Sequence, residues 1–191
     1  MISFRQYDTD IPERIVENVL SPDALNELES YIKFNKKISL KKAEVNSDLD
    51  DTTHIRDSEV MWLPPEELGN VYNELVQTAL RMNVNYYNYN IDTLEVLQYG
   101  EYSENGHFTW HCDGKYVTNE NHNRKLSFSL LLSDDYEGGD LEFWYQADPV
   151  KVSLKKNCMV FFPSHVLHRV TPVTKGLRRS VVGWIKGPDF V

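Results

Sequence analysis

Cysteine is scarce: Cys112 and Cys158 are the only two in 191 residues. That is far from the dense, evenly numbered set that staples a small secreted domain, so no disulfide framework is implied and both are expected as free thiols in a reducing compartment. Long apolar runs are missing too. The first residues, MISFRQYDTDIPERIV, are interrupted by charges every few positions, and no stretch is long and apolar enough to cross a bilayer. A soluble, cytoplasmic protein without a signal peptide or membrane partner is the expectation. Positive charge is also in short supply, with 20 Lys and Arg against 29 Asp and Glu, a formal net charge of −9. Such a balance repels a phosphate backbone and disfavours nucleic acid as a partner. What is present is ordinary globular material, 41% hydrophobic and 12% aromatic, enough to bury one substantial core as a single domain over 1–191.

Two kinds of periodicity divide the chain. Ser21 followed by Pro22 reads as an N-cap and first helical residue, and Leu25, Leu28, Tyr31 and Ile32 share a helical face that ends near Lys36. Pro64 and Pro65 open a second helix in which Leu68, Val71, Tyr72, Leu75, Val76, Ala79 and Leu80 recur at spacings of three and four. Between them, residues 43 to 57 (AEVNSDLDDTTHIRD) are polar and follow neither period, as expected of a loop that can cover a site. From Asp92 onward come short β-prone runs: TLEVLQY, HFTWHCD, KLSFSLLLS, DLEFWY, CMVFF, VLHRV and RRSVVGWI. In KLSFSLLLS, Leu126, Phe128, Leu130 and Leu132 alternate with Ser127 and Ser129, the mark of a strand with one face in a core. The expected fold is mainly β with N-terminal α-helices, closing as a sandwich, jelly roll or barrel. Residues 1–90 form a helical support, and 91–191 carry the β core.

His111-Cys112-Asp113 places an imidazole and a carboxylate at the period of a strand, so both point the same way as a ready pair of metal ligands. A third ligand from a distant strand would complete a two-histidine, one-carboxylate face that leaves adjacent positions of iron(II) open. An isolated HxD arises readily by chance, but a second cluster accompanies it in FFPSHVLHRVTPVTKGLRRSVVGWI. Arg178 and Ser180 share one face of a strand there, able to grip a carboxylate by a charge-assisted fork and a hydroxyl. Arg178 lies among Val181, Val182, Trp184 and Ile185, and a buried arginine requires an anionic partner. Arg179 is its rival, and parity with Ser180 and Trp184 favours Arg178. His165 and His168 are both open as the third ligand, but residues three apart in a strand face opposite ways, so only one can serve. His107 is expected at the solvent or the outer rim of a pocket, His54 and His122 as solvated, and Tyr102 and Trp110 as core aromatics.

Taken in order, these blocks resemble the prolyl-4-hydroxylase-like branch of the 2-oxoglutarate/iron(II) dioxygenases over roughly residues 94 to 186. LQYG at Leu97 to Gly100 is similar to the family's tyrosine strand, His111-x-Asp113 to its metal pair, and Tyr136 to Phe143 (YEGGDLEF) to its glycine-containing hairpin. FFPSHVLHRVTPVTKGLRRS is similar to its distal-histidine and carboxylate-binding segment. The resemblance implies a double-stranded β-helix, or jelly roll, with His168 as third metal ligand, since the His-Arg-Val-Thr-Pro continuation matches the family pattern. It implies Arg178 as partner of the 2-oxoglutarate C5 carboxylate, Tyr99 as a hydroxyl donor to that co-substrate, and Ser180 as an aid to Arg178. It further implies Fe(II), 2-oxoglutarate and O2 as cofactor and co-substrates, ascorbate as a reductant, and succinate and CO2 as co-products of hydroxylating a C–H bond. The substrate it implies is a peptidyl proline or proline-like group, on a peptide, protein or small molecule. The rival readings are an oxygenase that dealkylates nucleic acid, a metal-binding jelly-roll module without catalysis, and a cupin-like hydrolase or isomerase. The acidic balance argues against the first, and intact ligands with an intact Arg-x-Ser argue against the second. Residues 115 to 124 (KYVTNENHNR) are a second candidate flap, and the shortness of the chain points to a bacterial or viral source.

Overall fold

The computed structural model describes residues 12–44, 52–114 and 122–189. Helix α1 spans Pro22–Ser39; the Ser21 hydroxyl accepts from the Ala24 amide, Asp23 lies in the first turn, and Lys36 and Lys37 lie in the last, in keeping with the helix dipole. It runs a turn beyond Lys36 because nothing there breaks it: Ile38 is exposed, and the chain turns extended only at Leu40. The two prolines do not open the second helix directly. They lead into a 3-10 turn, Pro65–Glu67, and Leu68 then leaves helical geometry before α2 begins at Gly69 and continues to Met82. Val71, Leu75, Thr78, Ala79 and Met82 are its buried face, whereas Leu80, expected on that face, is 45% exposed. A wider helical turn, Asn83–Tyr87, follows and is ended by Asn88 at a φ of 52°, a left-handed conformation asparagine tolerates. The Ser21 amide and hydroxyl both donate to the Glu74 carboxylate, tying the start of α1 to α2.

The strands form two principal antiparallel sheets. In the larger the order is Arg14–Val16, Met159–Pro163, His122–Leu131, Arg178–Pro188, Leu97–Tyr102, Glu59–Leu63 and Lys41–Lys42, with Thr93–Leu94 pairing alongside the Arg178–Pro188 strand. The smaller runs Val150–Val152, Leu141–Trp144, Leu167–Val170, His107–His111 and Arg56–Asp57. Residues 56–63 therefore contribute to both sheets, so the region before residue 90 is more than a helical support. Arg56–Asp57 is strand within the expected loop 43 to 57, and residues 45–51 of that loop lie outside the described residues. Likewise His122 to Arg124 belong to a strand of the large sheet, and residues 115–121 of the second candidate flap lie outside the described residues.

Two hydrophobic clusters follow from strand alternation. Leu97, Tyr99, Leu126, Phe128, Leu130, Met159, Phe161 and Val181 pack with α1 and α2 on one side of the large sheet. Tyr102, Leu141, Phe143, Val160, Phe162, Val166 and Val170 pack together in a second cluster drawn from both sheets. The strand read as half-buried is buried on both faces: Ser127 and Ser129 are 1% and 5% exposed, small polar residues where a larger one would fill the space near the site. Cys112 and Cys158 are free thiols, and among the described residues no helix is long and apolar enough to cross a membrane.

Candidate active site

Antiparallel register brings the two histidines together. His168 lies directly opposite His111 in the small sheet, and Phe143 flanks His168 on its other side. The strand carrying His111 stops there, so Asp113 stands in the bend just beyond it rather than within the strand, and its carboxylate turns back toward both rings. His111 Nε2 is 3.8 Å from Asp113 Oδ1, and His168 Nε2 is 3.7 Å from Asp113 Oδ2. The three ligand atoms lie within 4.8 Å of one another.

The protonation pattern suits a cation at their centre. His111 Nδ1 lies 2.7 Å from the Thr109 carbonyl and His168 Nδ1 lies 2.9 Å from the Val166 carbonyl. Each ring therefore keeps its proton on Nδ1, which leaves both Nε2 lone pairs directed inward. Burial pushes His111 down to about 4, helped by the neighbouring His168 and only partly opposed by Asp113, so the ring is neutral at pH 7. At Asp113 burial pushes the carboxyl up, but the two imidazoles and hydrogen bonds from Ser127 and Trp184 more than offset it and hold it below its ordinary value. Two imidazoles with Nε2 directed inward, together with a carboxylate, are the donor set of a divalent iron site with open positions.

The cavity that these ligands face is walled by Phe128, Leu141, Phe162, Val170, Val182 and Trp184, with Arg178 and Ser180 on the same wall. Arg178 is 2% exposed, donates from Nη1 to Ser180 Oγ at 3.0 Å, and sits 5.4 Å from the centre of the Tyr102 ring. Its Nε is buried without a hydrogen-bond partner, and no carboxylate pairs with it among the described residues. Gly139, from the YEGGDLEF block, is what lets it lie there: a Cβ at that position would come 3.0 Å from Arg178 Cδ and 2.9 Å from Val173 Cγ2, at a φ of 59°. Arg179 points the opposite way and pairs with Glu29 of α1 at 2.8 Å, so parity separated the two arginines as expected.

Tyr99 is not with this group. Leu97, Tyr99 and Glu101 face the helices while Gln98 and Tyr102 face the cavity, and the Tyr99 hydroxyl donates to Glu101 Oε1 at 2.6 Å behind the sheet. The expectation for Tyr99 is thus corrected, and the phenol that meets Arg178 is Tyr102, its cross-strand partner. Tyr102 is a core aromatic as expected, and only the register between distant strands reveals that it also meets Arg178. Trp110 points outward, 5.2 Å from Trp144 and covered by Arg169 at 4.5 Å. His165 is exposed and faces away from the ligands, beside Trp144 and Tyr145, which leaves His168 as the histidine at the site. His107 lies at the rim near Asn105 and His54, outside the cavity.

Residues 95–186 match the family described as the 2OG-Fe(II) oxygenase superfamily. That match covers just under half of the chain. A PKHD-type hydroxylase of Synechococcus sp. is 41% identical over 83 residues, which are 42% of this chain and 37% of that protein. The match to that curated relative thus spans little more than a third of its length. In three dimensions the chain is similar to the crystal structure of a Pseudomonas putida prolyl-4-hydroxylase, with a TM-score of 0.74 at 19% identity over 93% of this chain and 94% of that one. It is similar as well to a Trichoplax adhaerens prolyl hydroxylase in complex with a hypoxia inducible factor oxygen degradation domain peptide fragment, with a TM-score of 0.76 at 17% identity over 93% and 84% of the two chains. At such identities the likeness is one of fold.

Proposed function

We propose that this chain is an iron(II)- and 2-oxoglutarate-dependent dioxygenase, one oxygenase unit on a double-stranded β-helix frame, that hydroxylates a C–H bond of a peptidyl proline or proline-like substrate. The observation that carries the reading is the conjunction in one cavity of the His111, Asp113 and His168 triad with a buried arginine whose Nε has no partner. A buried guanidinium without an anion is costly, and a dicarboxylate that reaches from the triad to Arg178 removes that cost. The peptide held by the Trichoplax adhaerens enzyme supports a peptide or protein substrate.

In this reading His111, Asp113 and His168 hold the metal, while Arg178 and Ser180 take the far carboxylate of 2-oxoglutarate with Tyr102 packed beside them. Iron(II) with 2-oxoglutarate supplies the oxygen-activating chemistry when bound, with succinate and CO2 as co-products. The carbonyls of Thr109 and Val166 keep the histidine protons on Nδ1, and Ser127 and Trp184 keep Asp113 ionised and aimed. Phe128, Leu141, Phe162, Val170 and Val182 exclude water, which strengthens every charge interaction inside. In this reading no side chain is asked to move a proton. Dealkylation of nucleic acid gains no support, since Arg179 is committed to Glu29 and the chain is acidic.

Anaerobic titration with iron(II) and then 2-oxoglutarate tests this. The expected result is a visible charge-transfer band in the wild-type protein that is absent in His168→Ala. No band in a folded wild-type protein that has taken up iron would overturn the reading.

A further inference from the structure

The same cavity holds a second guanidinium. Arg56 comes from the edge of the small sheet and crosses to the large one, donating from Nε to Ser58 Oγ at 2.8 Å and from Nη2 to Gln98 Oε1 at 3.1 Å. Its Cζ lies 4.7 Å over the Phe108 ring, and Phe108 in turn stacks on His111 with centroids 3.5 Å apart at 16°. Arg56 therefore stands one aromatic ring away from a proposed metal ligand. Among the described residues its hydrogen-bond and ring partners are all neutral, and neighbouring Asp57 is turned to Lys42 at 3.3 Å. Among the described residues lining the cavity, Asp113 is the only carboxylate.

The charges at the site do not close without a further anion. A divalent metal and Arg178 supply three positive charges; Asp113 and 2-oxoglutarate supply three negative ones. Arg56 is left over, half-buried at the wall and held in a fixed orientation by Ser58, Gln98 and Phe108. A strut that joined the two sheets would need only the hydrogen bonds, and a neutral amide donor such as glutamine would meet that need without placing a charge in the cavity. Long-range attraction does not explain it either, because the chain as a whole carries −9 and repels anions.

We propose that Arg56 is the specificity-determining residue for a substrate that carries a carboxylate close to the carbon attacked. This rests on the oxygenase reading above and narrows its substrate class to acidic ones. The carboxylate is either the free α-carboxylate of a terminal or free proline-like residue, or an acidic side chain next to the proline of a peptide. Either presents the planar anion that a preoriented guanidinium binds in two-point fashion.

The test is calorimetric titration of the protein loaded with manganese(II) and 2-oxoglutarate, which binds without turning over. Four probes separate the two sources: N-acetylproline against its amide for the α-carboxylate, and N-acetyl-Pro-Asp-amide against N-acetyl-Pro-Asn-amide for the side chain. In wild type the acid of one pair binds about tenfold more tightly than its neutral mate, the size of one charge-assisted contact at a half-exposed site. Arg56→Gln abolishes that ratio, and Arg56→Lys, which keeps the charge and loses the fork, retains part of it. Equal affinities within both pairs in wild type overturn the proposal, as does a preference that survives in Arg56→Gln, or failure of every probe to bind. The wild-type comparison stands even where Arg56→Gln does not fold. Binding of 2-oxoglutarate in the loading step separates the two levels: if it binds and the acids show no advantage, only the assignment of Arg56 fails, and if it does not bind, the oxygenase reading fails with it.

Discussion

Replacing Arg178 by Met moves two quantities in opposite directions. Without co-substrate the guanidinium is 2% exposed, and among the described residues its Nε has no partner while it makes one bond to Ser180 and lies by the face of Tyr102. A methionine of similar reach removes a buried charge from a nearly apolar wall, which stabilises the apo-protein by on the order of 1–3 kcal/mol, or roughly 3–10 °C in Tm for a chain of this size. Binding of 2-oxoglutarate then suffers, because the buried charge-assisted pair it makes with Arg178 contributes about 3–4 kcal/mol, so affinity falls roughly 100- to 1000-fold. Relative to the manganese(II)-loaded protein, wild type with 2-oxoglutarate at about one hundred times its Kd gains ~2.7 kcal/mol, a rise of roughly 5–10 °C; Arg178→Met at the same concentration gains almost nothing. Differential scanning fluorimetry of the two manganese(II)-loaded proteins with and without 2-oxoglutarate reads all four states. An Arg178→Met protein whose Tm rises with 2-oxoglutarate as far as the wild type's would refute the reasoning, since the carboxylate would then have another anchor.

Two further outcomes follow from the geometry. His111 is held down to about 4 against an ordinary 6.5; because the unfolded chain takes up this proton first, stability is full above about pH 6.5 and is lost as pH falls toward 4. Urea denaturation of the apo-protein at pH 7 and pH 4.5 should show a loss on the order of 2 kcal/mol that shrinks in His111→Asn, and an unchanged loss in that variant would rule out His111 as its source. Tyr99→Phe should leave 2-oxoglutarate affinity within about twofold while costing roughly 1 kcal/mol of stability through the lost bond to Glu101, whereas Tyr102→Ala should weaken co-substrate binding about tenfold; the reverse ranking by calorimetry would return Tyr99 to the site.

Much of this was legible because it depends on neighbours in the chain. The capping of α1 by Ser21, the alternation in the 126 to 132 strand, and the opposed faces of Arg178 and Arg179 are local consequences of helical and strand periods, and each appears in the structure. Where a local signal was read too simply the structure shows why. Two prolines started a 3-10 turn before the helix, and serines on a supposedly solvent-facing edge were buried because a second sheet covers them.

The sequence by itself determined the chemistry on offer: an HxD pair, a histidine-rich segment followed by an arginine and a serine of like parity, and no disulfides or apolar spans. Only the tertiary structure decided which side chains share a cavity. Placing His168 opposite His111, Tyr102 opposite Arg178, and Arg56 over Phe108 requires the register of strands far apart in the chain, and one residue of slip would turn each to the other face. The tyrosine strand shows it most plainly: parity alone says that Tyr99 and Tyr102 face opposite ways, and only the helices packed behind the sheet say which of them faces the site.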